Sequence, residues 1–155
     1  MNDFTTNIMQ KDKDHFMHPW TIFDVYKTEG ALPIENASGI HVQDTDGNKY
    51  LDAVGGLWCN NIGTGLDEMA DAIAEQVRKM SYASPFVDMT NVPGTLLAEK
   101  IAELAPGSLN RVFYSCGGST AVDTAYRLIQ YYQNCRGLRN KKYIIARHNA
   151  YHGST

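Results

Sequence analysis

The sequence predicts an α/β fold with a parallel sheet, and two stretches near its C-terminal end carry this prediction. Residues 112–114 form a short run of β-branched and aromatic residues typical of a buried strand. A glycine–serine turn and a stretch with helical spacing follow, and residues 143–146 then repeat the pattern of a buried strand. Two strands joined by a helix form a βαβ unit, which requires further strands beside it. The chain is therefore expected to be one piece of a larger domain.

Composition and charge exclude several classes of protein. The chain has 155 residues, of which 43% are hydrophobic, and this is enough for one domain with a sizeable core. Its net charge of −3 provides no basic surface for nucleic acid or anionic lipid. Apolar runs of only a few residues predict no membrane span, and the polar N-terminus does not resemble a secretory signal.

The cysteines and histidines indicate a cytoplasmic protein without a metal site. Three widely spaced cysteines without a CxxC motif are typical of a reducing compartment rather than of a disulfide framework or a zinc site. The histidines form two close pairs, but neither pair has a third ligand in a recognisable pattern. We therefore expect no bound metal.

The N-terminal third is expected to contain an arm and a hairpin. Residues 1–30 show no long periodic pattern, which predicts an extended arm anchored by Trp20 and Phe23 at a subunit interface. Residues 37–53 alternate in polarity around the acidic sequence DTDGN, which predicts a β-hairpin. Calcium binding is the alternative for these carboxylates, but the EF-hand pattern fails because no glutamate closes it. Turn chemistry is the preferred interpretation.

A glycine-rich loop follows and marks the predicted domain boundary. Residues 54–65 contain four glycines, which indicates that the backbone approaches another group closely. Trp58 in this loop is equally compatible with a core position and with one wall of a ligand pocket. The composition changes here from hairpin to α/β alternation. We therefore divide the chain into residues 1–54 and an incomplete large domain at 55–155.

Three helices are expected in the second part of the chain. Residues 66–80 carry apolar side chains at three- and four-residue steps. A second helix over residues 93–105 has Thr90 or Asn91 as its cap and Pro93 in its first turn. A third helix over residues 119–136 has Asp123 in its first turn. The apolar stripes of these helices are interpreted as core.

The turn before the third helix, residues 115–120, is the candidate site. A strand, a glycine–serine turn and a helix direct main-chain N–H groups and hydroxyls towards one point, which suits a phosphate or another anion. The turn matches neither the dinucleotide fingerprint GxGxxG nor the P-loop. A tight turn with unusual glycine dihedrals and a Ser or Thr cap is the alternative, and these residues alone favour it.

Three motifs in this order resemble the class III, or ω-type, aminotransferases, which are pyridoxal-phosphate enzymes of fold type I. The motifs are YLDAVGGLWCNNIGTG, VFYSCGGSTAVDTAYR and IIARHNAYHGST. The resemblance covers the chain from about His18 onwards. Within the family it is nearest to the taurine–pyruvate and ω-amino acid–pyruvate transaminases. It implies a partial fold type I transferase, comprising an arm, a small-domain hairpin and the first part of the large-domain sheet with its flanking helices.

The resemblance also implies roles for individual residues. Gly118 and Ser119 would hold the phosphate of pyridoxal 5'-phosphate, and Tyr151 would lay its ring against the pyridine ring. Four further side chains would line the substrate pocket: Trp58, Leu57, Trp20 and Phe86. The family shares these pockets between the two subunits of a homodimer. Many members have a glutamate where this chain has Thr120, so a role for that glutamate is not implied here.

The implied reaction is the transfer of an amino group from an amine donor to a keto acid such as pyruvate. It requires a lysine that forms a Schiff base with the cofactor and an aspartate on the pyridinium nitrogen. None of the eight lysines stands in the family's lysine motif, so the chain alone is expected to be inactive. Two alternatives stay open: a non-catalytic phosphate-binding or interaction module, and an aminomutase or decarboxylase relative.

Overall fold

A computed structural model describes all of residues 1–155, with six helices and one small sheet. The elements in chain order are α1 (Asp3–His15), α2 (Phe23–Glu29), β1 (Ile34–Ser38), β2 (His41–Asp44), β3 (Lys49–Leu51), α3 (Gly55–Trp58), α4 (Asp67–Lys79), α5 (Val92–Leu104) and α6 (Gly118–Cys135). The chain forms two compact units, Met1–Tyr82 and Ala83–Thr155. None of the helices is both long and apolar enough to cross a lipid bilayer.

The N-terminal segment is helical, so the prediction of an extended arm is wrong. The side chain of Asn2 caps α1 by accepting a 2.8 Å hydrogen bond from the Thr5 N–H. The same asparagine donates to the Thr45 carbonyl at 2.9 Å, and the Thr5 hydroxyl donates to Asp46 at 2.9 Å. The helix is therefore held by polar contacts with the hairpin turn, which periodicity along the sequence does not reveal.

Asp12 connects α1 to α2. Its carboxylate accepts hydrogen bonds from the Tyr26 hydroxyl at 2.6 Å and from His18 Nε2 at 2.9 Å. These bonds, first the one from Tyr26 and then the one from His18, lower the pKa of Asp12. Burial, followed by the bond to Asp12, raises the pKa of Tyr26 to about 12. Tyr26 is the one buried apolar side chain, so this cluster is the packing centre of the two helices.

The predicted hairpin is confirmed, and a further strand joins it. β2 pairs with β3 through Val42 and Tyr50, and β1 pairs antiparallel with the other edge of β2. The Asp44 carboxylate accepts hydrogen bonds from the N–H groups of Asp46 and Asn48 at 3.0 and 2.8 Å. It also accepts one from the Tyr50 hydroxyl at 2.8 Å. Because hairpin donors engage this carboxylate, the turn interpretation accounts for its position.

The glycine-rich loop approaches the hairpin, as expected from its composition. Gly39 and Thr64 exchange main-chain hydrogen bonds of 2.9 and 3.0 Å. A Cβ on Gly63, whose φ is +82°, would lie 3.0 Å from the Gly39 carbonyl oxygen. A side chain does not fit there without displacing the backbone of the loop.

The three predicted helices form within two residues of their expected bounds, as α4, α5 and α6. Asn91 is the cap of α5, accepting the Gly94 N–H at 2.8 Å. The apolar stripes of α4, α5 and α6 are exposed rather than buried, because no other helix or strand of the chain packs on them. Residues 112–114 and 143–146 form no hydrogen-bonded ladder, so the prediction of a strand is wrong for both. A strand requires a hydrogen-bonded neighbour, and these two segments do not pair with each other.

Candidate functional site

The N-terminus of α6 presents uncapped N–H groups. Gly117 precedes the helix, and no side chain caps it. The first main-chain bond joins the Ala121 N–H to the Gly117 carbonyl at 3.0 Å, so the N–H groups of residues 118–120 point out of the helix. Thr120 does not cap the helix, since its hydroxyl donates to the Gly117 carbonyl at 2.8 Å. Asp123 falls in the second turn rather than the first, and no acidic side chain stands in the first turn.

The segment 151–154 lies directly against this helix end. The Ser154 N–H donates to Ser119 Oγ at 3.1 Å. Gly153 has a φ of +108°, and a Cβ on it would lie 2.7 Å from Ser119 Cα and 2.9 Å from Ser119 Oγ. A side chain at residue 153 would therefore force the segment and the helix apart.

Tyr151 completes this cluster. Hydrogen bonds from Ser119 and then from Ser154 lower the pKa of its phenol below the ordinary value. The remainder of the side chain is exposed. Gly118, Ser119 and Tyr151, the three residues assigned to the cofactor from the sequence, thus lie together. Sequence reasoning missed Gly153 and Ser154, although a glycine after the Tyr-His pair was the available signal.

The donors at this helix end match the requirements of a phosphate group. Main-chain N–H groups, the Ser119 hydroxyl and the positive end of the helix dipole all favour a multiply charged oxyanion. A Cβ on Gly117 or Gly118 would meet no atom within 4 Å, so the surface above the turn is open to a ligand. The residues present therefore fit the phosphate end of pyridoxal phosphate.

Phe86 lines a cavity in the second unit. The cavity has a volume of about 600 Å³. Its walls come from residues 84–86, from 90 and 91, from Gly94, Thr95 and Ala98, and from residues 112–114. The Tyr114 hydroxyl donates to the Gly94 carbonyl at 2.6 Å, which connects residues 112–114 to α5. Aromatic and hydroxyl groups share the wall, as they do in many small-molecule pockets.

Trp20, Leu57 and Trp58 belong to the first unit. Both tryptophans are strongly exposed, at 87% for Trp20 and 79% for Trp58. Trp58 and Leu57 lie in α3, which is a left-handed turn: φ is between +57° and +63° at each residue from Gly55 to Trp58. The Asp52 carboxylate supports this turn by accepting the Gly56 N–H at 2.9 Å.

Backbone strain coincides with the residues assigned to the pocket. Five non-glycine residues have positive φ: Trp20, Leu57, Trp58, Val87 and Asn149. Three of them are assigned pocket residues, Val87 follows Phe86, and Asn149 lies two positions before Tyr151. Left-handed backbone is unfavourable for side chains with a Cβ and concentrates at functional sites. Composition and periodicity contain no signal for this pattern.

Comparison with known proteins places the chain in a family. Residues 22–155 match the family Aminotransferase class-III. The putrescine–pyruvate aminotransferase of Pseudomonas aeruginosa is 38% identical over 160 residues, an alignment that covers 100% of this chain and 35% of that protein. A transaminase from the marine bacterium Virgibacillus superposes with a TM-score of 0.93 and 37% identity, covering 96% of this chain and 34% of that one.

The ω-transaminase of Pseudomonas jessenii in complex with PMP superposes with a TM-score of 0.92 and 34% identity, covering 96% of this chain and 33% of that one. The chain thus spans about a third of the length of the relatives that it matches. Class-III aminotransferases are enzymes of the pyridoxal-phosphate fold type I, and this chain has the architecture of their N-terminal part. The chain belongs to the class-III aminotransferase family.

Proposed function

We propose that the chain is the N-terminal part of a pyridoxal-phosphate transaminase that moves an amino group from an ω-amino acid or amine to pyruvate. The observation that carries this proposal is the uncapped end of α6, where Ser119 and Tyr151 lie together. Family membership and a relative named for putrescine and pyruvate support the reaction class. A taurine-like donor is the finer form of the proposal and rests on the motifs GGLWCNN and GGSTAVDTA.

In this proposal the chain binds and orients the cofactor. The N–H groups of Gly118 and Ser119 and the Ser119 hydroxyl donate to the phosphate, and the Tyr151 ring lies beside the pyridine ring. Pyridoxal phosphate, when bound, supplies an electron sink for the substrate carbon that loses its proton. The side chains of Trp58, Trp20, Phe86 and Leu57 are all exposed, and we assign them to the substrate pockets of the complete enzyme.

The complete enzyme is proposed to be a homodimer with shared active sites. The exposed tryptophans and the uncovered apolar faces of α4, α5 and α6 support an interface or further domain contacts. We place residues 55–155 in the cofactor-binding large domain and residues 1–54 in a smaller one. Three free, exposed cysteines are compatible with the proposed cytoplasmic location.

The reactive lysine is proposed to lie outside these residues. None of the eight lysines adjoins Ser119 or Tyr151 in the sequence, and Lys13 is engaged with the carbonyls of Lys27 and Thr28 at 3.1 and 3.3 Å. The 155-residue chain, mixed with pyridoxal phosphate and borohydride, should therefore yield no stoichiometric adduct at a single lysine, beyond scattered labelling of exposed lysines. A stable adduct together with turnover of pyruvate would place the reactive lysine within the chain and overturn this part of the proposal.

Cofactor recognition is tested with pyridoxamine phosphate, whose amine forms no Schiff base with a lysine. In the complete polypeptide, Ser119→Ala removes one hydrogen bond to a charged group and should weaken binding about 10- to 100-fold. Ser108→Ala, at an exposed serine in another loop, is the control and should bind like the wild type. Equal affinity of the two variants would show that the phosphate is held elsewhere.

The donor is tested by assaying the complete polypeptide with pyruvate and a panel of amines. Taurine, β-alanine, putrescine and an arylalkylamine separate the sulfonate, carboxylate, diamine and aromatic classes. Formation of alanine with at least one of them supports the reaction. Failure of the enzyme loaded with pyridoxamine phosphate to form alanine from pyruvate would exclude pyruvate as the acceptor.

A further inference from the structure

The Ser119 hydroxyl has a defined hydrogen-bond environment. Its oxygen accepts the Ser154 N–H at 3.1 Å. A hydroxyl carries one hydrogen and two acceptor positions, so a bond accepted from one side leaves the hydrogen to be donated elsewhere. Ser119 also lowers the pKa of the Tyr151 phenol by hydrogen bonding, so the two hydroxyls are neighbours. The Ser154 main chain thus restricts the directions in which Ser119 can donate.

The contact between these two segments requires a glycine at residue 153. A Cβ at this position would lie 2.7 Å from Ser119 Cα, which is too short for any side chain, and the contacted atom belongs to the backbone rather than to a flexible tip. Ser119 and Ser154 are 35 residues apart in the sequence. Gly153 is therefore the residue that lets the two segments approach to hydrogen-bond distance.

We propose that Gly153 and the Ser154 main chain are positioning elements that preset the Ser119 hydroxyl to donate to the cofactor phosphate. The inference rests on the proposed function and adds residues that act through Ser119. With the Ser154 N–H on its oxygen, the Ser119 hydroxyl would have its hydrogen available for a phosphate oxygen. The Ser154 N–H would remain on Ser119 Oγ in the bound state.

The test compares two ligands with the complete polypeptide. Gly153→Ala should weaken the binding of pyridoxamine phosphate about 10- to 100-fold, the range expected for one misdirected bond to a charged group. It should leave the affinity for pyridoxamine unchanged, because that ligand lacks the phosphate. Equal weakening of both ligands would overturn the proposal, since it would indicate general damage to the site.

Gly137→Ala is the matched control. Gly137 follows the other end of α6 and has a φ of +76°, but a Cβ on it would meet no atom within 4 Å. The substitution therefore introduces backbone strain beside the same helix without a steric contact. It should leave pyridoxamine phosphate affinity at the wild-type value, and a loss as large as that of Gly153→Ala would overturn the proposal.

A double-mutant cycle tests whether Gly153 acts through the hydroxyl. In a Ser119→Ala background, Gly153→Ala should have little further effect on pyridoxamine phosphate affinity, because the group it positions is absent. Additive losses would overturn the proposal. If Gly153→Ala does not fold, the exchange of the Ser154 amide hydrogen provides the test. Ser119→Ala should accelerate this exchange, and an unchanged rate would show that the Ser154 N–H does not depend on Ser119.

The binding results for the wild type and the variants distinguish a failure of the positioning role from a failure of the proposed function. If Ser119→Ala weakens binding but Gly153→Ala does not, only the positioning role is wrong. If neither the wild type nor any variant binds pyridoxamine phosphate, the proposed function fails and the positioning role fails with it.

Discussion

The left-handed turn of α3 predicts an unusual order of stability for substitutions at Leu57. Its φ and ψ are +63° and +50°, and its side chain is 61% exposed. In this conformation the Cβ of an L-residue crowds the following carbonyl, whereas glycine has no Cβ. Leu57→Gly should therefore give a more stable protein than Leu57→Ala, although alanine is the better residue in ordinary helices.

The magnitude follows from two opposing terms. Left-handed backbone costs an L-residue about 1–2 kcal/mol. Glycine is itself less favourable than alanine by about 0.5–1 kcal/mol, because it loses more conformational freedom on folding. From the midpoints of these two ranges, the net advantage of Leu57→Gly over Leu57→Ala is about 0.8 kcal/mol. Little packing is lost in either variant because the leucine side chain is mostly exposed.

The free energy of unfolding can be measured with urea, following the loss of helical circular dichroism. Ile73 provides the matched control, since it is 57% exposed and lies inside the right-handed helix α4. There the order should reverse, with Ile73→Ala about 1 kcal/mol more stable than Ile73→Gly. Greater stability of Leu57→Ala than of Leu57→Gly would refute the left-handed geometry.

Two further predictions concern hydrogen bonds of the fold. Asn91→Ala removes the cap that accepts the Gly94 N–H and should lower the free energy of unfolding by about 1 kcal/mol. The helical circular dichroism should therefore be reduced at intermediate urea. An unchanged urea midpoint would contradict the cap. Tyr26→Phe removes the main cause of the lowered pKa of Asp12. Ionised Asp12 contributes stability above its ordinary pKa of 3.8, and this stability is lost as the pH falls through the lowered value. The variant should therefore lose less stability than the wild type between pH 6 and pH 3, and parallel losses would contradict the hydrogen bond.

Local signals in the sequence were sufficient for the later helices and the hairpin. α4 and α5 follow from apolar spacing over three and four residues, and Asn91 followed by Pro93 marks the start of α5. The DTDGN turn specifies the return of β3 onto β2. Each of these patterns depends on residues within a few positions of one another, so each can be interpreted without knowledge of distant contacts.

The same reasoning failed where stability comes from distant groups. α1 is polar and shows no strong apolar stripe, but Asn2 and Thr5 bind the turn at Thr45 and Asp46, some 40 residues away. Residues 112–114 have the composition of a strand, yet composition does not specify a hydrogen-bonding neighbour.

The candidate site likewise has a part that local sequence patterns indicate and a part that depends on distant contacts. The residues of the turn alone were compatible with an anion site but favoured a tight capped turn, and the family resemblance supplied the assignment of Gly118 and Ser119 to a phosphate. Only the tertiary structure decided that Gly153 and Ser154 meet Ser119, and that Leu57 and Trp58 adopt left-handed backbone. Such approaches depend on where the chain returns in space, and that return is determined by the summed contacts of the fold rather than by any short pattern.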